Sequence, residues 1–137
     1  MTFAPLRFQL PWPPSLNNLY PTGANGRRFL SKEGKAYHEA VAVELLRQRV
    51  PRARLAVPVE LTLLLQPPDR RRRDISNLVK VCEDCLTRCG VWADDCQVDV
   101  LHVWRCLRYP GGIVTVEIKE AKDRTGPFEP VSGVAPG

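Results

Sequence analysis

Residues 6–10, LRFQL, alternate apolar and polar side chains and predict a short strand. The following PWPPS removes backbone donors and ends it, and Asn17-Asn18, Gly23 and Gly26 extend an irregular loop to about residue 29. Ser31 stands where it can cap a helix over KEGKAYHEAVAVELLRQRV. In that segment Ala36, Ala40, Val43 and the Leu45-Leu46 pair recur near helical spacing, and Pro51 stops the element. Residues 55–65, LAVPVELTLLL, are rich in Val and Leu and predict a second strand with Pro58 near its edge.

The clearest period lies in ISNLVKVCEDCLTRCG. Ile75, Leu78, Val79, Cys82, Cys85, Leu86 and Cys89 fall on one arc of a helix, and Asn77, Lys80, Asp84 and Arg88 on another. Asp74 occupies the N-cap position and Gly90 the position just past the end. VWADDCQV reads as a tight acidic turn. Residues 98–108 and 112–119 read as strands flanking Pro110-Gly111-Gly112, a hairpin signal. The order predicts a small single α+β domain over residues 1–120, with a mixed sheet of about four strands and two main helices. Residues 121–137 lack periodicity and read as a loose tail.

Composition is that of an ordinary globular chain of 137 residues. The N-terminus lacks a basic segment followed by a sustained apolar run, and no stretch approaches the roughly 20 apolar residues of a bilayer span, so no membrane is expected and the location expected is cytoplasmic. Five cysteines, an odd number, argue against a closed disulfide framework. Cys82, Cys85 and Cys89 have a spacing that invites a thiolate–metal reading, but they share the helix's apolar arc, which favours a core or dimer-contact role. His38 and His102 are too far apart in sequence to suggest a site by themselves; His102 reads as structural, and Trp92 and Trp104 as core or interface residues.

Charge changes the picture at one place. The net charge is +5, and of 20 basic residues 15 are arginine, whose planar fork can hold phosphate bidentately. Arg70, Arg71, Arg72 and Arg73 are consecutive and bracketed by Asp69 and Asp74. Phosphodiester cleavage needs a cation that polarises phosphate and activates water, and magnesium asks for oxygen ligands while keeping several waters. Arginines to hold a backbone beside aspartates to hold a metal therefore make chemical sense for a nuclease. Taken singly, Asp74 also reads as a plain helix cap, Asp94-Asp95 as a solvated turn, and the arginine run as a solvated basic face.

Read together, DRRRRDISNLVKVCEDCLTRCGVWADDCQV resembles the central motif of the RusA family of Holliday-junction resolvases. The family pattern runs DRRRRD-x-D-N, a lysine three residues on, an acidic residue and Leu-Thr, then Gly-x-Trp-x-Asp-Asp-x-Gln-Val. LPWPPS followed by the Asn pair matches too, and the resemblance extends over nearly all of residues 6–120. It implies a homodimer that binds branched, four-way DNA junctions and cuts two strands symmetrically with Mg2+, for which Mn2+ can substitute. Carried over by position, Asp74 and Asp95 are metal-binding catalytic carboxylates and Lys80 the catalytic-helix lysine. Arg70, Arg71, Arg72, Arg73 and Asn77 lie against DNA, as do Ser15, Asn17 and Asn18. The chain departs from the pattern at Ser76, where the family has a second essential aspartate, and at Leu16, inserted between Ser15 and the Asn pair. Either Asp74 and Asp95 suffice with an extra water, or Asp94 or Asp69 supplies the third carboxylate, or the protein is a non-catalytic junction binder.

Overall fold

The computed structural model describes residues 3–122 and 125–133, with Leu16 and Asn17 described for their backbone alone. The elements are β1 (Leu6–Pro11), a single turn α1 (Leu16–Leu19), α2 (Lys32–Arg47), β2 (Val59–Gln66), α3 (Ile75–Arg88), β3 (Val98–Arg105) and β4 (Ile113–Glu120), with a 3-10 turn at Asp95–Gln97 before β3. The two long helices and one mixed four-stranded sheet make the expected α+β domain. Described residues beyond β4 carry no helix or strand.

The sheet order is β1-β4-β2-β3. β2 lies parallel to β3 and antiparallel to β4, and β4 is antiparallel to β1. The hairpin expected between the last two strands is thus not formed. β3 returns beside β2 after the α3 crossover, the connection a parallel pair requires. β4 then has β2's other edge to occupy. Residues 106–112 carry the chain over the end of β2, tied by Cys106 N–H to Leu65 O at 2.8 Å and Tyr109 N–H to Pro67 O at 3.1 Å.

Strand alternation builds the core. Val59, Leu61, Leu63 and Leu65 of β2, Val114, Val116 and Ile118 of β4, and Phe8 and Leu10 of β1 are all buried. Leu78, Val79, Val81, Cys82, Cys85 and Leu86 of α3 are buried in the same cluster. Cys82 and Cys85 are core thiols, and burial pushes the Cys82 thiol up to about 12. The face expected of α2 is displaced. Tyr37, Val41 and Leu45 are buried, whereas Ala36, Ala40, Val43 and Leu46 are exposed. Tyr37 sets this rotation, because its hydroxyl donates to Pro11 O at 2.8 Å where β1 ends.

Both caps expected of the helices are present. Ser31 accepts from Gly34 N–H at 2.9 Å, and Asp74 accepts from Ser76 N–H at 2.9 Å. Gly90, at φ 74°, reverses the chain after α3. Trp92 is then buried to 1% exposure, its Nε1–H donating to Thr87 Oγ1 at 2.6 Å. Trp104 differs: on the edge strand β3 it is 62% exposed.

Candidate nucleic-acid interface and acidic site

Four adjacent guanidiniums repel, and the chain relieves that repulsion by turning one inward. Arg73 Nη1 pairs with Asp69 Oδ1 at 2.8 Å, and Asp69 Oδ1 also accepts Arg71 N–H at 2.9 Å. The Arg73 hydrogen bond, with the Arg71 N–H, holds the Asp69 carboxyl below its usual range. The Arg73 guanidinium sits 5.5 Å from the centre of the Trp12 ring, a cation–π arrangement. Arg105 Nη2 donates to Arg73 O at 2.9 Å, anchoring the turn to the end of β3. Arg70, Arg71 and Arg72 are left exposed. Asp69, one of the carboxylates weighed as a third ligand, is therefore engaged in folding the arginine turn.

The turn delivers its far end to the α3 N-terminus. Asp74 shares one cleft with Ser15, Asn18, Arg71, Arg72 and Asn77, so most of the predicted DNA-facing residues come together there. Ser15 Oγ accepts Asn18 N–H at 3.2 Å and so also caps α1. The expected contact through Asn17 lies outside the described side chains. Ser76 is exposed on the first turn of α3, and its N–H is committed to Asp74.

The second acidic group sits on the turn that follows α3. Asp94 caps it by accepting Cys96 N–H at 3.0 Å, which leads the effects holding its carboxyl below the usual range. Asp95 is pushed up, first by partial desolvation, then by its hydrogen bond with Asp94 and by the charges of Asp94 and Asp84, with Lys80 opposing. Glu83 is also raised, by burial and then by Asp95. Asp95 thus shares its field with Lys80, Glu83 and Asp84 of α3. Lys80 follows the Asp74 cap by six residues, about 9 Å along the helix, and stands between the two acidic ends. Among the described residues no three Asp, Glu, His or Cys side chains form a group able to hold a metal ion. Asp74, Asp94 and Asp95 offer carboxylate oxygens, the hard type that magnesium takes with several waters retained.

Gln97 is a residue whose role sequence reasoning missed, although it stood inside the motif. Its Oε1 accepts the N–H groups of Ala93 at 3.0 Å and Asp94 at 2.8 Å, and its Nε2 donates to Leu55 O at 2.7 Å and Val57 O at 2.9 Å. One side chain therefore pins the acidic turn to the segment entering β2. Trp12 and Arg105 were missed as well. The Trp in LPWPPS was a visible signal, whereas Arg105's proximity to the arginine turn is purely tertiary.

Another arrangement lies behind α3. The Tyr20 hydroxyl donates to Asp84 Oδ2, which also accepts from Arg88 Nε at 3.0 Å. His38 Nδ1 is 2.9 Å from Cys85 Sγ, and its Nε2 lies 3.7 Å from Asp84 Oδ2. Asp84 and Arg88, on the second arc of α3, tie that helix to the loop after α1 and to α2.

The family model described as Endodeoxyribonuclease RusA matches residues 11–119. A crossover junction endodeoxyribonuclease RusA of Escherichia coli strain K12 is 41% identical over 111 residues, covering 81% of this chain and 91% of that protein. The protein of the same name from Enterobacteria phage 82 has the same identity and coverage, and that of Shigella sonnei strain Ss046 is 40% identical over 111 residues. With the arginine turn, the Asp74 cap and the Asp94-Asp95 turn all in the matched region, the chain belongs to the RusA endodeoxyribonuclease family.

Proposed function

We propose that this chain is a structure-selective endodeoxyribonuclease of the cytoplasm that binds four-way DNA junctions as a homodimer and resolves them by paired nicks. The observation that carries the reading is the cleft in which Arg71, Arg72, Asn77 and Asp74 converge at the α3 N-terminus. Membership in a family whose relatives are named crossover junction endodeoxyribonucleases supplies the substrate class.

Arg70, Arg71 and Arg72 collect the phosphate backbone, an interaction that weakens as salt rises. Asn77, Ser15 and Asn18 add neutral donors and acceptors that register the strand. Asp74 and Asp95, together with Asp94, would hold Mg2+, or Mn2+ in its place. A bound ion would supply polarisation of the phosphate and activation of water. Lys80, on the face between the two acidic ends, offsets charge developing on the phosphate. Two copies related by a two-fold axis would present these groups to two strands of like polarity.

Ser76 favours a second reading, in which the protein binds junctions without cutting them. A cleavage assay on a synthetic four-way junction, run with Mg2+ and Mn2+ for wild type and Asp95→Asn, separates the two. Paired nicks by wild type, lost in Asp95→Asn with junction affinity retained, are expected. Binding with no nicks in either metal leaves the second reading, and unchanged cleavage by Asp95→Asn refutes the site. Ser76→Asp is expected to raise activity or magnesium affinity.

A further inference from the structure

The arginine turn forms a ridge with a cleft on each side. Arg71, Arg72, Arg73 and Trp12 line both. One cleft is the polar one that holds Asp74. The other runs between the ridge and residues 106–108, with a floor of Leu65, Ile75 and Leu78 and with Leu107 and Arg108 at its lip. Leu107 is 86% exposed there. Of the two clefts, the proposed reaction draws on the first for its Asp74 carboxylate, and a phosphate alone gains nothing from the apolar floor of the second.

An apolar slot open to solvent with guanidiniums at its mouth has a definite chemical complement. A nucleotide out of its stack offers two flat apolar faces and carries an anionic phosphate at one side. The charges on the ridge match the phosphate and the slot matches the base. Because the same arginines line both clefts, a phosphate held on the ridge has Asp74 on one side and the apolar slot on the other. Bases at a branch point lack a continuous stack and are the cheapest in the duplex to extrude.

We propose that this second cleft takes one unpaired nucleobase from the strand whose phosphate is presented to Asp74. It rests on reading the polar cleft as the cutting site, and it adds a device that distinguishes branched from continuous DNA. A phosphate on the ridge of a continuous duplex has no free base to offer the slot.

The test couples a residue to a base. Junction dissociation constants are measured for the wild-type protein and Leu107→Ser, on a four-way junction and on the same junction with abasic residues substituted one at a time beside the branch point. Binding serves as the readout, so the result does not depend on Ser76 and catalysis, and thermal melting checks that the exposed substitution leaves the fold intact. Leu107→Ser is expected to weaken binding to the intact junction by on the order of tenfold, near the low end for burying a leucine side chain against an apolar face. With one particular base absent, wild type and variant should bind alike. An equal loss on intact and abasic junctions, or no loss on either, overturns the slot while leaving the nuclease reading in place. Wild-type protein that binds a junction no better than a linear duplex overturns the functional reading and the slot together, and is seen before any variant is made.

Discussion

Replacing Gln97 with alanine removes four hydrogen bonds at once. Two acceptances come from amides on an exposed turn, Ala93 and Asp94, which water can satisfy when the side chain is gone. The donations to Leu55 O and Val57 O are partly buried and harder to replace. At about 0.5–1.5 kcal/mol net per bond, with the outer pair near the lower limit and the inner pair near the middle of that range, Gln97→Ala should cost about 3 kcal/mol. For a domain of this size that corresponds to a fall in Tm of roughly 10 °C. Gln97→Glu should fare no better: its oxygens still accept the two amides, but they face the Leu55 and Val57 carbonyls with no proton to offer and add charge beside Asp94 and Asp95. The functional effect should be larger on cutting than on binding. Loosening the turn displaces Asp95, and displacements near 1 Å cost on the order of a hundredfold in rate, whereas junction affinity rests on the arginine ridge and should change less than about twofold. Thermal melts, junction binding and junction cleavage measured on one preparation test the chain of reasoning. Gln97→Ala with an unchanged Tm would refute the energetic account, and normal cutting despite a lowered Tm would separate this turn from the chemistry.

Gly112, at φ 75°, leaves no room for a methyl group: a Cβ would lie 2.7 Å from Trp12 and 2.9 Å from Pro68. The positive φ and the overpacking together should make Gly112→Ala cost about 2–4 kcal/mol. Gly111→Ala, at φ 79° with open space around it, should cost only about 1–2 kcal/mol; chemical denaturation giving equal losses would dismiss the Trp12 contact. His38 predicts a pH effect. Burial, then the Arg88 charge, lowers its pKa against the opposing pull of Asp84, and its Nε2 is buried with no hydrogen-bond partner among the described residues. The unfolded state therefore binds the proton more readily, so this contribution to stability is complete above about pH 6.5 and is lost as pH falls through the lowered folded value. Melting curves between about pH 7.5 and 5, roughly the span of a histidine titration, should show a fall that is smaller in His38→Gln; identical slopes for the two proteins would exclude His38 as the source.

What the sequence displayed was local, and what it concealed was tertiary. α3 was legible throughout because one arc of side chains, a capping Asp74 and a terminating Gly90 all reported the same helix. β2 was legible for the same reason, since its Val and Leu residues alternate into one core. α2 misled, because Ala36 and Ala40 are small enough to sit on either face, and Tyr37 rather than an aliphatic stripe fixes its rotation. Pro110-Gly111-Gly112 carries the local chemistry of a reversal. Pairing, however, is decided by which sheet edge is free, and β2 lies between the two strands it connects. At the site, the motif located the acids and the arginines. The inward turn of Arg73 depends on Trp12 and Arg105 from distant parts of the chain, which no spacing in the arginine run could indicate.

The arginine run also explains why its two bounding carboxylates have separate jobs. Asp69 faces back into the turn, where it neutralises Arg73 and receives the Arg71 amide, so the guanidiniums presented outward are those of Arg70, Arg71 and Arg72. Asp74 faces forward onto α3, where the helix's positive end favours a negative charge and the Ser76 amide holds one of its oxygens. An aspartate at position 76 would place a second carboxylate in that same first turn, raising the attraction for a divalent cation and lowering it for phosphate. Ser76 shifts the balance the other way. The ridge and helix terminus remain strongly attractive to a DNA backbone, while the demand on Asp95 for cation binding increases. The Ser76→Asp variant should therefore move the two affinities in opposite directions, tightening Mg2+ and weakening metal-free junction binding. A variant that strengthens both would show that the first turn of α3 does not set this balance.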